Sequence, residues 1–481
     1  MRDGRIALVA ALIVGVAGDT LLRAGPWGAG FSLWVVLVVG AAIVTTWSGQ
    51  RQIALPAMAF LAAAVLFGAC LSLRDSPALR IWNVAGALIA MVMALLAGRG
   101  LTLGSASVVQ YVGAVIVGAR SATSAPLKAA TKGTGPPTDR SARLAVRVLL
   151  AVLLAIPLLL LFGTLLTAAD PVFGHLVRSA FGIDVGRLIS HTVVITILSW
   201  STAGYVLALL HRGSSPLERT PAWLPTLGLI EVGIPMTALA LLFISFIGVQ
   251  AGYLFGGEAL VQATVGLSFA EYARRGFFEL VAASGLMIPV VIVADLLLRQ
   301  DDPRTVRWFR RIARLQILCV GLIMGSALER LRIYYQAYGL TVDRLLAGAV
   351  MLWIGFTLGW FAFTVLRGRR IRFPLGTVVA GLVVLATVDA INPEAVVVRV
   401  NMQRAIAGAK LDVQYLSRLS GDAVPTLTTH VDRLHSAVRR TLITALADRW
   451  GGLGQRDWRS WNLGYARAND ALRGAVGGLR R

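Results

Sequence analysis

An ionisable side chain inside an apolar stretch is the first place to look for chemistry, because hydrocarbon penalises the charge. Asp19, Glu231, Asp295, Glu329 and Asp389 are such residues. Asp19, Asp295 and Asp389 fall near the ends of their stretches, within reach of water or head groups. Glu231 lies further in, within Gly228-Leu229-Ile230-Glu231-Val232-Gly233-Ile234-Pro235. Gly233 and Pro235 can free backbone carbonyls there. Glu231 is either a proton or cation-coupling site or a structural partner of an arginine.

Two polar clusters are candidate binding surfaces. The first is Glu329-Arg330-Leu331-Arg332-Ile333-Tyr334-Tyr335-Gln336-Ala337-Tyr338-Gly339-Leu340-Thr341-Val342-Asp343-Arg344. Gly339 can end a helix in the left-handed conformation, and Thr341 can cap the next. Asp343 then sits in a first turn that favours negative charge. Glu329 and Arg332 share a face, and the tyrosines belong at an interfacial belt. The segment reads as a capped hairpin, with a polar-ligand site at Tyr335, Tyr338 and Arg344 as the alternative. The second cluster surrounds Glu271, Arg274, Arg275 and Glu279, at ion-pair spacing along a helix. It is either self-neutralised or half of a site completed by the hairpin. Asn392-Pro393-Glu394, leading to Asn401 and Arg404, adds further polar groups.

Catalytic patterns are poor. His175, His191, His211, His430 and His435 show no metal-ligand spacing, and no phosphate loop or serine elbow occurs. Neither a catalytic residue nor a cofactor is expected. Cys70 and Cys319 lie in separate apolar stretches and read as small buried residues.

The elements that must position these residues are set by composition. Of 481 residues, 57% are hydrophobic and 15% charged, with mean hydropathy +0.73. Soluble proteins carry about 25% charged residues. The chain is therefore expected to be an all-α transmembrane bundle. About eleven segments have the length of a span: 6–22, 31–46, 53–73, 81–98, 144–168, 188–210, 227–249, 278–298, 315–334, 345–366 and 373–391. The first follows a short basic start and reads as an uncleaved span rather than a signal peptide. Residues 101–119 are apolar but polar-spotted, and read as interfacial or re-entrant.

The organisation expected is a four-span block with that extra segment (1–119), a basic Gly/Pro linker (120–143), a seven-span core (144–391) and a helical tail (392–481). In the tail, Leu427, Val431, Leu434, Val438, Leu442 and Leu446 form one amphipathic face. Trp450, Trp458 and Trp461 suit either a membrane interface or a small core. The net charge of +22 comes almost wholly from arginines on many short loops. That distribution fits anionic lipid head groups and no nucleic-acid fingerprint. The richest loops, 99–147, 299–314 and 367–372, should be cytoplasmic, placing the N-terminus inside and the tail outside. If 101–119 also spans, the N-terminus flips and the tail stays outside.

Several strings resemble a bacterial family of multi-pass membrane proteins known only as a domain of unknown function. They are Ala169-Asp170-Pro171-Val172-Phe173, Glu271-Tyr272-Ala273-Arg274-Arg275-Gly276-Phe277-Phe278-Glu279-Leu280, Tyr338-Gly339-Leu340-Thr341, Asn392-Pro393 with Asn401 and Arg404, and Leu411-Asp412-Val413-Gln414-Tyr415-Leu416 with Asp422-Ala423-Val424-Pro425. The resemblance covers about 144–461 and implies a bacterial plasma-membrane protein with an extracytoplasmic helical tail. It brings no established activity. The expected function is a permease-like transporter for a small polar or anionic solute. The alternative is a sensor, scaffold or regulatory subunit whose tail binds a protein partner, and an enzyme acting on a lipid-linked substrate ranks last. A phosphatase fused to the C-terminus is expected to be active, and a fluorescent protein fused there dark. The reverse pair contradicts this sidedness.

Overall fold

The computed structural model describes residues 2–49, 52–132, 185–210, 227–265, 277–299, 301–450 and 456–479. Among these the regular structure is helical, and an isolated bridge joins Leu227 to Leu298. The membrane part comprises α1 (Arg2–Leu22), α2 (Ala29–Ser48), α3 (Leu55–Leu73), α4 (Pro77–Gly98), α5 (Val108–Lys132) and α6 (Val185–Leu210). It continues with α7 (Leu229–Val265), α8 (Phe277–Leu297), α9 (Pro303–Tyr338), α10 (Val342–Thr364) and α11 (Phe373–Ile391). The tail holds α12 (Pro393–Ile406), α13 (Val413–Ser417), α14 (Val424–His430), α15 (Ser436–Trp450) and α16 (Leu463–Leu479).

Among the described residues, 9 helices are long and apolar enough to cross a bilayer. They are α2–α4 and α6–α11. The apolar part of α1, Ile6–Leu22, is slightly shorter, and that of α5 runs only over Val108–Arg120. The expected span 144–168 lies outside the described residues. The chain is a multi-pass helical membrane protein. Its spans leave large apolar side chains uncovered, such as Leu33, Val36, Ile81, Leu318 and Leu352. In hydrocarbon that exposure is the favourable state.

Local chemistry places the helix ends. At α5, the Ser107 hydroxyl accepts from Gln110 N (3.3 Å) while Gln110 Oε1 accepts from Ser107 N (2.7 Å). That exchange is a capping box. At α9, Asp302 accepts from Arg304 N and Thr305 N, and Pro303 follows at the first helical position. Asn392, at φ 52°, both ends α11 and caps α12 through Ala395 N.

Small residues let the spans approach. A Cβ on Gly204 of α6 would lie 2.2 Å from the Ala122 carbonyl of α5, and one on Gly15 of α1 1.9 Å from Ser199 Oγ of α6. One core joins α1, α2 and α6 through Val14, Val38 and Val206, and a second joins α7–α10 through Met287, Val291, Phe309, Val320, Met351 and Phe361. The two groups meet along α4 and α11. There Gly86 makes room for Leu385, and buried Asn83 donates to the buried Asp389 carboxylate at 2.9 Å. Arg74 donates to the Asp389 and Ala390 carbonyls at the end of α11. The tail covers the end of the bundle formed by the α1–α2, α3–α4 and α9–α10 turns. The arginine-rich start of α9 (303–314) and the arginine-rich turn at 367–372 lie at the other end. Asn83→Ala removes the donor that Asp389 uses, at a cost of about 1–3 kcal/mol. Melting in detergent should fall clearly below wild type; an unchanged midpoint contradicts this role.

Candidate functional site

The α9–α10 hairpin forms as its residues suggest. Gly339 ends α9 at φ 83°, where a glycine is favoured. A Cβ there would also lie 2.3 Å from Asn401 Oδ1. Thr341 Oγ1 accepts from Arg344 N (3.4 Å), capping α10. The tail then grips the hairpin. Asn401 reads both sides of Leu340, accepting from its N–H at 2.9 Å and donating to its carbonyl at 2.7 Å. Val342 N donates to the Tyr415 hydroxyl at 2.9 Å. Arg404 donates to the Gln336 carbonyl, and its guanidinium lies 5.4 Å from the Tyr335 ring centre. Arg344 donates to the Gly339 carbonyl and stacks 3.8 Å over Tyr334. Both guanidinium groups are thereby held in place.

Between hairpin and tail is a cavity of about 700 Å³. Arg344, Arg404 and Lys410 line it, with Asn401, Tyr334 and Tyr338. Asp412 is the acidic residue of the lining, outnumbered by the three cations, and its Oδ1 accepts from Tyr415 N at 2.9 Å, the cap of α13. The wall is therefore cationic and aromatic.

Of the residues expected to bind, Tyr338, Arg344, Asn401 and Arg404 come together in this cavity. Tyr335 contributes by facing Arg404. Glu329 and Arg332 do not join them; they form a solvent-facing pair at 3.5 Å. Such a pair contributes little. Glu271, Arg274 and Arg275 lie outside the described residues. Glu231 lies at the opposite end, on the rim of an apolar recess of about 400 Å³ between α7 and α8. Pro235 and Pro289 line the same recess, and each removes a helical N–H.

A second polar assembly, undetected from sequence, fastens the tail to the bundle. Asp422 Oδ2 accepts from the backbone N–H of Asp75 (2.7 Å) and of Ser76 (3.0 Å), just before α4. Asp75 Oδ2 in return accepts from Gly421 N at 3.0 Å. Glu394 Oε2 receives both the N–H and the hydroxyl of Ser420, each at 2.7 Å. Asp75 Oδ1 also takes Arg456 (2.6 Å) and Asn462 (3.0 Å) from near the start of α16. All three carboxylates are buried. Gly464 is required here, since a Cβ would lie 2.3 Å from Asp422 Oδ1. The legible signal was modest: Ser76 before Pro77 marks a helix start, but the N–H groups just ahead of that helix are met by Asp422, a residue far along the chain. Among the described residues no group of three His, Cys, Asp or Glu could hold a metal ion.

Elsewhere, acids near span ends are paired. Asp19 accepts from Arg23 (2.8 Å) and contacts His191 Nδ1 (2.5 Å), linking α1 to α6. Asp295 accepts from Arg370 at 2.6 Å.

Fold and site together define an integral membrane protein with a cationic pocket under a docked tail. Residues 61–430 match the family described as a domain of unknown function (DUF4153), and the chain belongs to that family. The match includes Asp75, Glu394, Asp422 and the pocket lining, while Arg456 and Asn462 lie beyond it. No curated protein and no solved structure matches the chain.

Burial pushes the Asp422 carboxyl up to about 7, with the nearby Glu394 charge adding to the effect. Burial raises Glu394 as well. A raised acid holds its proton in the folded state where the unfolded chain has lost it. Its contribution is full below the ordinary value of 3.8 and is lost as pH rises through about 7. Stability should therefore fall from about pH 4 to about pH 7, with Asp422→Asn flattening the slope. Melting of both proteins across that range is the check; a wild-type profile that rises contradicts it.

Proposed function

We propose that this membrane protein binds a small anionic solute in the cavity between the α9–α10 hairpin and the tail. The observation that carries the reading is the convergence of Arg344, Arg404 and Lys410 on one cavity whose lining carries a single carboxylate, Asp412, so that cations outnumber the anion. Fixed guanidinium groups suit an oxyanion, and Lys410 adds a mobile charge. Tail and bundle each supply part of the wall, so an occupant makes contacts to both. Binding then biases how firmly the tail sits, which is how a sensor or regulatory subunit would report its ligand. The arginine-rich segments at the end away from the tail support a tail facing outward, and the resemblance to a bacterial family supports the plasma membrane.

A permease is the second reading. It is favoured by Glu231 beside Pro235 and Pro289, which place a carboxylate in one recess with two helices that each lack a backbone N–H there. In that reading the cationic cavity is the outer vestibule and Glu231 couples a cation.

The test uses the full chain in lipid nanodiscs, titrated with inorganic phosphate and with succinate. Saturable stabilisation by an anion is expected. Lys410→Gln should weaken it about tenfold, the loss of roughly one charged hydrogen bond. Absence of anion binding sinks the reading. Anion flux into proteoliposomes that Glu231→Gln abolishes would select the permease.

A further inference from the structure

We infer that the tail is seated on the bilayer itself, through Trp458 and Trp461 together with Trp27 of the α1–α2 turn. The tail's tryptophans divide sharply. Trp450 is buried and packs on Tyr465 at 5.5 Å, within the core that the tail shares with the bundle. Trp458 and Trp461 are 60% and 46% exposed. They belong to a short 3-10 turn that is bonded to the ends of two membrane helices. The Trp461 carbonyl accepts from Ala29 N, the first residue of α2, at 2.9 Å. Arg459 donates to the Thr20 carbonyl in the last turn of α1 at 2.7 Å. Gly28 makes the approach possible, since a Cβ there would lie 2.4 Å from the Trp461 carbonyl.

These bonds fix the two indoles at the level where α1 and α2 leave the hydrocarbon. Trp27, 39% exposed, stands in the same turn, stacked on Phe31 at 5.4 Å with its N–H on the Leu22 carbonyl. An indole has an apolar body and a polar tip, and its preferred place is the membrane–water boundary. The occupant of this surface is therefore the glycerol layer of the lipid. Charge plays little part. Arg459 is paired with Asp457 at 2.5 Å and Arg23 with Asp19 at 2.7 Å. The seat should consequently work on neutral and anionic lipid alike.

The experiment compares tryptophan quenching in wild type and the double variant Trp458→Phe/Trp461→Phe. The full chain is placed in nanodiscs whose lipids are brominated close to the glycerol end. The chain has 12 tryptophans. The double variant should lose a bromolipid-quenched component of about two tryptophans, the same on zwitterionic and anionic lipid and at low and high salt. Aqueous iodide should quench both proteins alike. If the lost component is instead quenched by iodide and untouched by bromolipid, the two indoles face water and the inference fails. Equal melting of wild type and Trp461→Phe checks that the fold persists. Should the double variant not fold, Trp461→Phe alone carries the same comparison, with a loss of about one tryptophan.

Discussion

The architecture depends on how a few backbone N–H groups are satisfied where the tail meets the bundle. Asp75, Ser76, Ser420 and Gly421 each point an N–H into a buried seam, and three carboxylates receive them. Two of those carboxylates, Asp75 and Asp422, lie on opposite sides of the seam and each serves the other's turn. Such groups are costly to bury without a partner, so neither side can close the seam alone. Asp422 reaches across to the start of α4, and Asp75 reaches back to Gly421. Around this clasp the tail and the bundle share one apolar core, in which Leu79, Val342, Leu346 and Val388 of the membrane helices pack with Val397, Met402, Leu416, Leu442 and Tyr465 of the tail. Everything proposed about ligand and lipid follows from a tail held in one place.

The membrane explains why specificity gathers at the ends of the bundle. Along the spans, lipid accepts apolar side chains on any outward face, so many packings are close in energy. Glycines at close approaches and the buried Asn83–Asp389 bond narrow the choice. At the tail end, water, head groups and protein compete for the same backbone groups, and there the directional contacts accumulate. The hairpin and the α3–α4 turn are held from outside by Asn401, Tyr415 and Asp422.

Much of this was legible in the sequence because the relevant signals are local. Hydropathy marks spans, and Gly339 with Thr341 marks a helix end followed by a cap. The pocket residues Tyr338, Arg344, Asn401 and Arg404 were legible as polar groups flanking helix ends. The clasp was not, because its logic is nonlocal. Asp75 looks like any acid in a short turn, and Asp422 like any acid beside a glycine. The tryptophans could have been separated in part. Trp450 continues the four-residue steps of Leu442 and Leu446, which places it on the core face, whereas Trp458 and Trp461 do not. Glu329 and Arg332 show the opposite case: their three-residue spacing is a local signal, and the structure pairs them at the surface, apart from the cavity lining.

The most direct measurement is amide hydrogen exchange on the full chain in nanodiscs. If the clasp is real, the amides of Asp75, Ser76, Ser420 and Gly421 exchange as slowly as those within α4 and α12, although none lies inside a helix. If instead they exchange as fast as the exposed turn at 407–408, the tail is not fastened there, and the pocket beneath it is not a lasting feature of the protein.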